Sequence, residues 1–355
     1  MGDIIYIYVL VFAILCCFLP RQVQKQTSVV LLMIMMLICG FRAYDVGVDT
    51  HNYAEYAAKQ GDVSDYNFGP FYLLLKYLAN LFPNSQTAFL LIMAMLTYIP
   101  LAVIARKYSE YPALSVLMYI IPVAEYFVQS FNICKQSIAI VYVLIAAILI
   151  SKGEKKPAFW ILIFCLLIHP YSFFGFILFF IDKIKLSKAK VTSIIAITMT
   201  LGLVGTLAGI QDILNLIMLA TSGNSSYLIR KLGKYGDYEI AANFSLVGQL
   251  SHMLPLAAMC YLGANEKTMK SILYKMMLAG CAATNIFVSV IFCERIASTY
   301  TIAQFLIVPY ILKTSSRPVK RLIVLLLFGT TLLFLYNLRA ESHLDMWTPY
   351  HTIFD

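Results

Sequence analysis

The sequence predicts an all-α polytopic integral membrane protein, and two observations carry that reading. The 355-residue chain is 61% hydrophobic and only 13% charged, with a mean hydropathy of +0.79; a soluble domain carries about 25% charged residues. Long apolar runs recur from end to end, so the chain is membrane throughout and not a soluble domain with an anchor. Backbone groups in lipid must be satisfied within a helix or a closed barrel. Runs such as 138–150 and 322–335 lack the polar alternation of a barrel strand, which leaves helices.

The first apolar run, 4–19, follows Asp3 with no basic residue before it. Pro20-Arg21 stand where a cleavage site needs small residues, so the run reads as a retained first helix. Six basic segments punctuate the apolar runs: Arg21/Lys25, Arg106/Lys107, Lys152/Lys155/Lys156, Lys183/Lys185/Lys188/Lys190, Lys267/Lys270 and Lys313/Arg317/Lys320/Arg321. They hold 17 of the 27 basic residues and are assigned to the cytoplasm by the positive-inside rule. The segments between them hold most of the acids and are placed outside. These are Asp45, Asp49, Glu55, Asp62 and Asp65, then Asp212, Asp237 and Glu239, then Glu341, Asp345 and Asp355.

Parity constrains the crossings further. Residues 42–68 are outside and Arg106/Lys107 inside, so the runs 71–82 and 88–105 cannot both cross. The first follows Pro70, contains Lys76 and ends at Pro83, and it is shorter than the roughly 20 residues a crossing needs. Residues 70–82 are expected to lie on the outer interface or to re-enter from outside. Run 159–181 is the opposite case: both flanks are basic, so it enters and returns, with His169-Pro170 at the tip. The count is about 12 transmembrane helices plus the one interfacial or re-entrant helix, 70–82, with both chain ends outside. No inverted repeat, P-loop, dinucleotide turn or HExxH divides the chain. It is read as a single transmembrane domain, 1–355, with outer loops 42–68 and 211–245.

The net charge of +9 follows this topology, so no nucleic-acid partner is expected. The eight cysteines lie in or beside apolar runs without a CxxC and read as buried free thiols. No metal or cofactor is expected.

Charges at membrane depth or helix ends are costly and mark functional sites. Arg42, Asp45, Asp49, His51 and Tyr53 crowd the outer end of the second helix. Lys135-Gln136 sit at an outer turn, His169 tips the hairpin, and Glu294-Arg295 end the helix that starts near Ser271. Arg230, Lys231 and Lys234 lie in the second outer loop, and Glu125 lies within the run 113–128. Cations pinned at helix ends, on the side that topology disfavours, suggest a bound anion. A diphosphate fits, since Arg offers it a planar fork and Lys a point charge. Blander roles compete: Arg42 snorkelling and pairing with Asp45, Lys135 reaching headgroups, Glu294-Arg295 as an interface pair, and His169 capping its hairpin.

These residues, in this order, resemble the Wzy/EpsG family of bacterial polysaccharide polymerases. The family's Arg, short spacer, Gly-x-Asp-Thr and a Tyr three residues on is similar to Arg42, Gly47-Val48-Asp49-Thr50 and Tyr53. A later Arg-Gln before an apolar helix resembles Lys135-Gln136, with lysine replacing arginine. The family's His between short apolar runs resembles His169, and its Arg with a following Pro-Tyr helix resembles Arg295 through Tyr300 to Pro309-Tyr310. The similarity spans roughly residues 30–312 in order and spacing.

The resemblance implies a GT-C-like glycosyltransferase in the bacterial inner membrane, with its site facing the periplasm or cell exterior. It implies transfer of a growing glycan from undecaprenyl diphosphate to the non-reducing end of a lipid-linked repeat unit. Implied partners are undecaprenyl-diphosphate-linked oligosaccharides, membrane lipids and a chain-length regulator protein. Carried over residue by residue, Arg42, Lys135 and Arg295 bind diphosphate. Asp49, Asp45 or His169 is the base or positions the acceptor, and Tyr53, Gln136, Tyr300 and Arg230 contact substrate. A flippase for lipid-linked sugars would place charges near mid-membrane, whereas the unexplained charges here gather at outer ends. A ligase moving finished glycan onto lipid A core would use the same donor. A structural role fits the polar clusters least.

Overall fold

A computed structural model describes residues 4–47, 49–59, 68–121, 126–207, 246–287, 291–339 and 350–354. Among these the regular structure is helical, apart from one isolated bridge between Arg42 and Thr352. The helices are α1 (Ile4–Cys17), α2 (Arg21–Gly40), α3 (Thr50–Ala58), α4 (Pro70–Ala79), α5 (Ser85–Tyr108), α6 (Pro112–Ile120), α7 (Tyr126–Asn132) and α8 (Cys134–Ser151). There follow α9 (Lys155–Ile168), a 3-10 helix (Pro170–Ile177), α10 (Leu178–Ile181), α11 (Lys188–Leu207) and α12 (Leu246–Leu262). The last are α13 (Glu266–Met269), α14 (Ile272–Ile286), α15 (Ile291–Thr301), α16 (Gln304–Thr314) and α17 (Arg317–Arg339).

Among the described residues, four helices are long and apolar enough to cross a membrane: α2, α5, α8 and the Lys188–Gly205 part of α11. Arg295–Thr301 and Gln304–Thr314, bent by 42° at a short break, make a fifth if taken as one span. The 24 residues of α5 reach about 36 Å at 1.5 Å per residue, enough for a hydrocarbon core of about 30 Å. In α8, 72% of the apolar window is buried, against 17% in α11, so α8 is the central post and α11 stands at the periphery. Large apolar side chains such as Phe18, Trp160, Phe180 and Tyr336 cover the outside. An apolar exterior is what a lipid-facing surface requires.

The long helices have chemically distinct ends. At one end Glu110 pairs with Arg21 and with Lys313, each at 2.9 Å. Lys152 donates to Tyr108 Oη at 2.9 Å, Lys155 meets Asp182 at 3.5 Å, and Lys275 donates to the Asp182 carbonyl. The basic segments thus gather on one side of the bundle. Following α2 and α8 to their other ends leads to Arg42 and Lys135. The Lys155–Asp182 pair also closes the open end of the hairpin formed by α9 and the 3-10 helix, which leaves His169 at its tip.

Helix α4 does not run between the ends. Phe68, just before it, packs on Lys135, while Asn84, just after it, accepts from Tyr44 Oη at 3.2 Å. The chain enters and leaves α4 on the Arg42 side, and its 10 residues span only about 15 Å. Lys76 is accommodated by donating to the Lys59 carbonyl and lying 5.0 Å over the Tyr56 ring.

The chain end returns to the same side. Ala43 N–H donates to His351 O at 3.0 Å and Ile353 N–H to Phe41 O at 3.1 Å. Tyr350 Oη donates to Ile38 O at 3.0 Å. Residues 350–354 thereby form a strap across the segment 41–43, which the hydropathy of the sequence does not announce.

Candidate functional site

The site begins with the turn after α2. Gly47 has φ +96°, and a Cβ there would lie 2.8 Å from Thr50 Oγ1 and 2.9 Å from the Phe131 carbonyl oxygen. Only glycine meets both demands. The turn presses Thr50 inward, where its hydroxyl donates to Val46 O at 2.7 Å and accepts from Arg42 Nε at 3.0 Å.

Arg42 is 0% exposed. Its Nη1 donates to Cys39 O and to Cys39 Sγ (3.4 Å), and its Nη2 to Phe131 O (3.2 Å) and Cys134 Sγ (3.3 Å). All five guanidinium donors are engaged. Cys39 and Phe131 sit in the last turns of α2 and α7, where unpaired carbonyls carry the negative ends of helix dipoles. One buried cation thus clasps two helix C-termini. The expected contact of Arg42 with a diphosphate finds no exposed donor in this geometry.

A second cation stands beside the clasp. Lys135, in the first turn of α8, holds its Nζ 3.6 Å from the Phe68 ring centre, 5.1 Å from Tyr72 and 5.9 Å from Tyr53. Aromatic faces attract an ammonium and fix its position. Tyr53 Oη also accepts the backbone N–H of Lys135. Burial, with lesser contributions from neighbours including Asp49, raises the Tyr53 phenol well above its ordinary value, so it acts as a neutral hydroxyl.

Three struts bring the other expected residues to Lys135. Tyr72 Oη donates to Ile168 O at 2.9 Å, which ties α4 to the residue before His169. Gln136 Nε2 donates to Arg295 O at 2.8 Å and to Ser298 Oγ at 2.5 Å, which sets Arg295 beside the start of α8. Tyr300 Oη donates to Phe174 O at 2.7 Å, which joins α15 to the 3-10 helix beyond His169. Lys135, His169 and Arg295 are each half-buried. Lys135 stands in the first turn of α8, beside the backbone of Arg295, where the positive end of the helix dipole favours an anion.

The two aspartates separate. Asp49 is half-buried at the N-cap of α3 without a side-chain cap bond, and its charge is felt by Tyr53 and Cys134. Asp45 is exposed and pairs with His351 of the strap at 2.9 Å. Tyr53, Gln136 and Tyr300, expected to contact substrate, are 3%, 2% and 4% exposed and act as struts. Arg230 lies outside the described residues, as do Lys231, Lys234, Glu125 and the side chain of Glu294. Among the described residues no three His, Cys, Asp or Glu side chains gather to hold a metal ion.

Sequence reasoning missed Phe68, Tyr72, Ser298 and His351. Tyr72 lies inside an apolar run, and only the structure brings its ring to 5.6 Å from that of Phe68 in the segment before α4.

Apolar helices framing a cationic site at one end define a polytopic membrane protein with a surface-facing polar centre. The chain belongs to the EpsG family, whose model matches residues 25–352, and membership suggests a polysaccharide polymerase-like function. Comparison with curated proteins and with solved structures gives no match.

Proposed function

We propose that the protein is an oligosaccharide repeat-unit polymerase. It transfers a growing glycan from undecaprenyl diphosphate to the non-reducing end of a lipid-linked repeat unit. The observation that carries this is the gathering of Lys135, Arg295 and His169 at one end of the bundle by the Gln136, Tyr72 and Tyr300 struts. The family match supports it.

In this reading the acceptor hydroxyl attacks the anomeric carbon of the donor sugar. The bond from that carbon to the phosphate oxygen breaks, and the diphosphate leaves with the electron pair. Lys135, Arg295 and the α8 N-terminus stabilise the charge that develops on it. Asp49 or His169 takes the acceptor proton, while Asp45 is held by the strap. Arg42 serves as a positioning residue that fixes loop 42–50 and so delivers Asp49 and Tyr53. About twelve crossings, counting both hairpin arms and the shorter helices, make up the membrane topology in this reading. The Arg42 end faces the periplasm or cell exterior in a bacterial inner membrane. A GT-C-like architecture and pairing with a chain-length regulator protein complete the reading.

The test is the surface glycan profile of a deletion strain. A single repeat unit attached to its carrier is expected; loss of all attached glycan points to a ligase or flippase instead. Full-length polymer from a well-expressed Arg295→Ala strain removes Arg295 from the mechanism.

A further inference from the structure

A pocket opens between loop 42–50, the start of α5 and the strap. Its volume is about 590 Å³, and its lining includes Tyr44, Asp45, His51, Asn84, Gln86 and Thr352. The volume lies within the usual range for ligand sites. Its chemistry differs from that around Lys135. The lining holds two carboxamides, a carboxylate, an imidazole and an aromatic ring, with no lysine or arginine among the lining residues. Such a set does not suit a diphosphate, which needs cations. It suits neutral neighbouring hydroxyl groups, which carboxamides and carboxylates meet with paired donors and acceptors, and a sugar face, which packs on an aromatic ring.

The pocket is built, not incidental. Asn84 is fixed at the N-cap of α5, accepting from Thr87 N–H at 3.1 Å and from Tyr44 Oη at 3.2 Å. Tyr44 Oη also lies 3.1 Å from Thr87 Oγ1. The wall carrying Thr352 is held by the strap bonds from Ala43 and Ile353 and by the His351–Asp45 pair. The lining includes none of Asp49, Tyr53, Lys135, His169 and Arg295.

We propose that this pocket is a glycan subsite, holding uncharged sugar residues of the polymer away from the transfer centre, with the C-terminal strap as one wall. The proposal rests on the polymerase reading. It gives a task to Asp45, which is exposed and paired with His351, and it explains why the strap is anchored there.

The probe is a set of soluble oligosaccharides released from the host strain's own surface polymer. Binding to the full-length protein in lipid nanodiscs is measured by calorimetry. His51→Ala with Gln86→Ala is expected to weaken binding roughly tenfold or more, while Lys135→Met binds as wild type does. In cells the double variant should shorten the modal polymer length. The subsite is overturned if the double variant binds as tightly as wild type, if wild type binds no fragment, or if Lys135→Met abolishes binding. Full polymer in the deletion strain overturns the polymerase reading instead, so the two failures are distinguishable.

Discussion

Among the described residues two glycines adopt positive φ, and they differ in what surrounds them. Gly47 has φ +96° with Phe131 O 2.9 Å from where a Cβ would sit; Gly153 has φ +83° with nothing within 4 Å. Replacing either with alanine costs about 1–2 kcal/mol of backbone strain. Gly47→Ala must also push away the Phe131 carbonyl, which accepts from Arg42 Nη2 at 3.2 Å. A hydrogen bond from a charged donor contributes about 1.5–3 kcal/mol, so Gly47→Ala should cost about 2.5–5 kcal/mol in all. Against a total stability of about 5–15 kcal/mol, that is a large fraction. The assay is apparent melting of detergent-purified protein by fluorescence-detected size exclusion, paired with the surface polymer profile. Gly153→Ala should melt slightly below wild type and keep its polymer. Gly47→Ala should melt well below both and lose polymer, because loop 42–50 carries Asp49. Equal melting of the two variants would refute the clasp as the reason for Gly47.

Other outcomes follow from the same geometry. Lys135→Met should stop polymer formation while the protein still folds. Lys135→Arg, which keeps the cation over Phe68, should retain it; polymer from Lys135→Met excludes the cation from the mechanism. Asp49→Asn should cut polymer more deeply than Asp45→Asn, as read from glycan ladders at matched expression; the reverse order would move the base to the strap side. Cysteines placed at 83–86 should react with an impermeant reagent from the same face as one at Tyr44, because Asn84 bonds to Tyr44. Labelling from opposite faces would mean that residues 70–82 cross.

The ends of the bundle were legible in the sequence because charge sign and segment order are local properties. Lys155 and Asp182 flank an apolar run too short to cross twice at full length, and they meet at 3.5 Å. The same counting set α4 apart from α5. The burial of Arg42 was not legible. An arginine after an apolar helix can rise to the headgroups or turn back into helix carbonyls, and the deciding partner, Phe131, lies 89 residues away. Lys135 raises the same difficulty, since its ring partners Phe68 and Tyr72 lie more than 60 residues earlier, one in the outer loop and one in the apolar run after it. The two aspartates could not be told apart until the strap, five described residues with no hydropathy signal, took Asp45.

The division of labour within the motif changes what a mutation there reports. Arg42, Gly47 and Thr50 close on each other and on Phe131, and Asp49 stands next to Thr50 at the N-cap of α3. Arg42→Ala would leave the carbonyls of Cys39 and Phe131 without their charged donor in a buried setting, at about 1–3 kcal/mol each. Arg42→Lys supplies a point charge that cannot span both helix ends as a planar fork does. Both variants should lose polymer, but together with thermal stability. Loss of polymer in an Arg42 variant is therefore not a sign of diphosphate contact unless melting is measured alongside it. An Arg42→Ala protein that melts like wild type and makes no polymer would return Arg42 to the substrate side of the site. One that melts early makes it the residue that allows Asp49 and Lys135 to act.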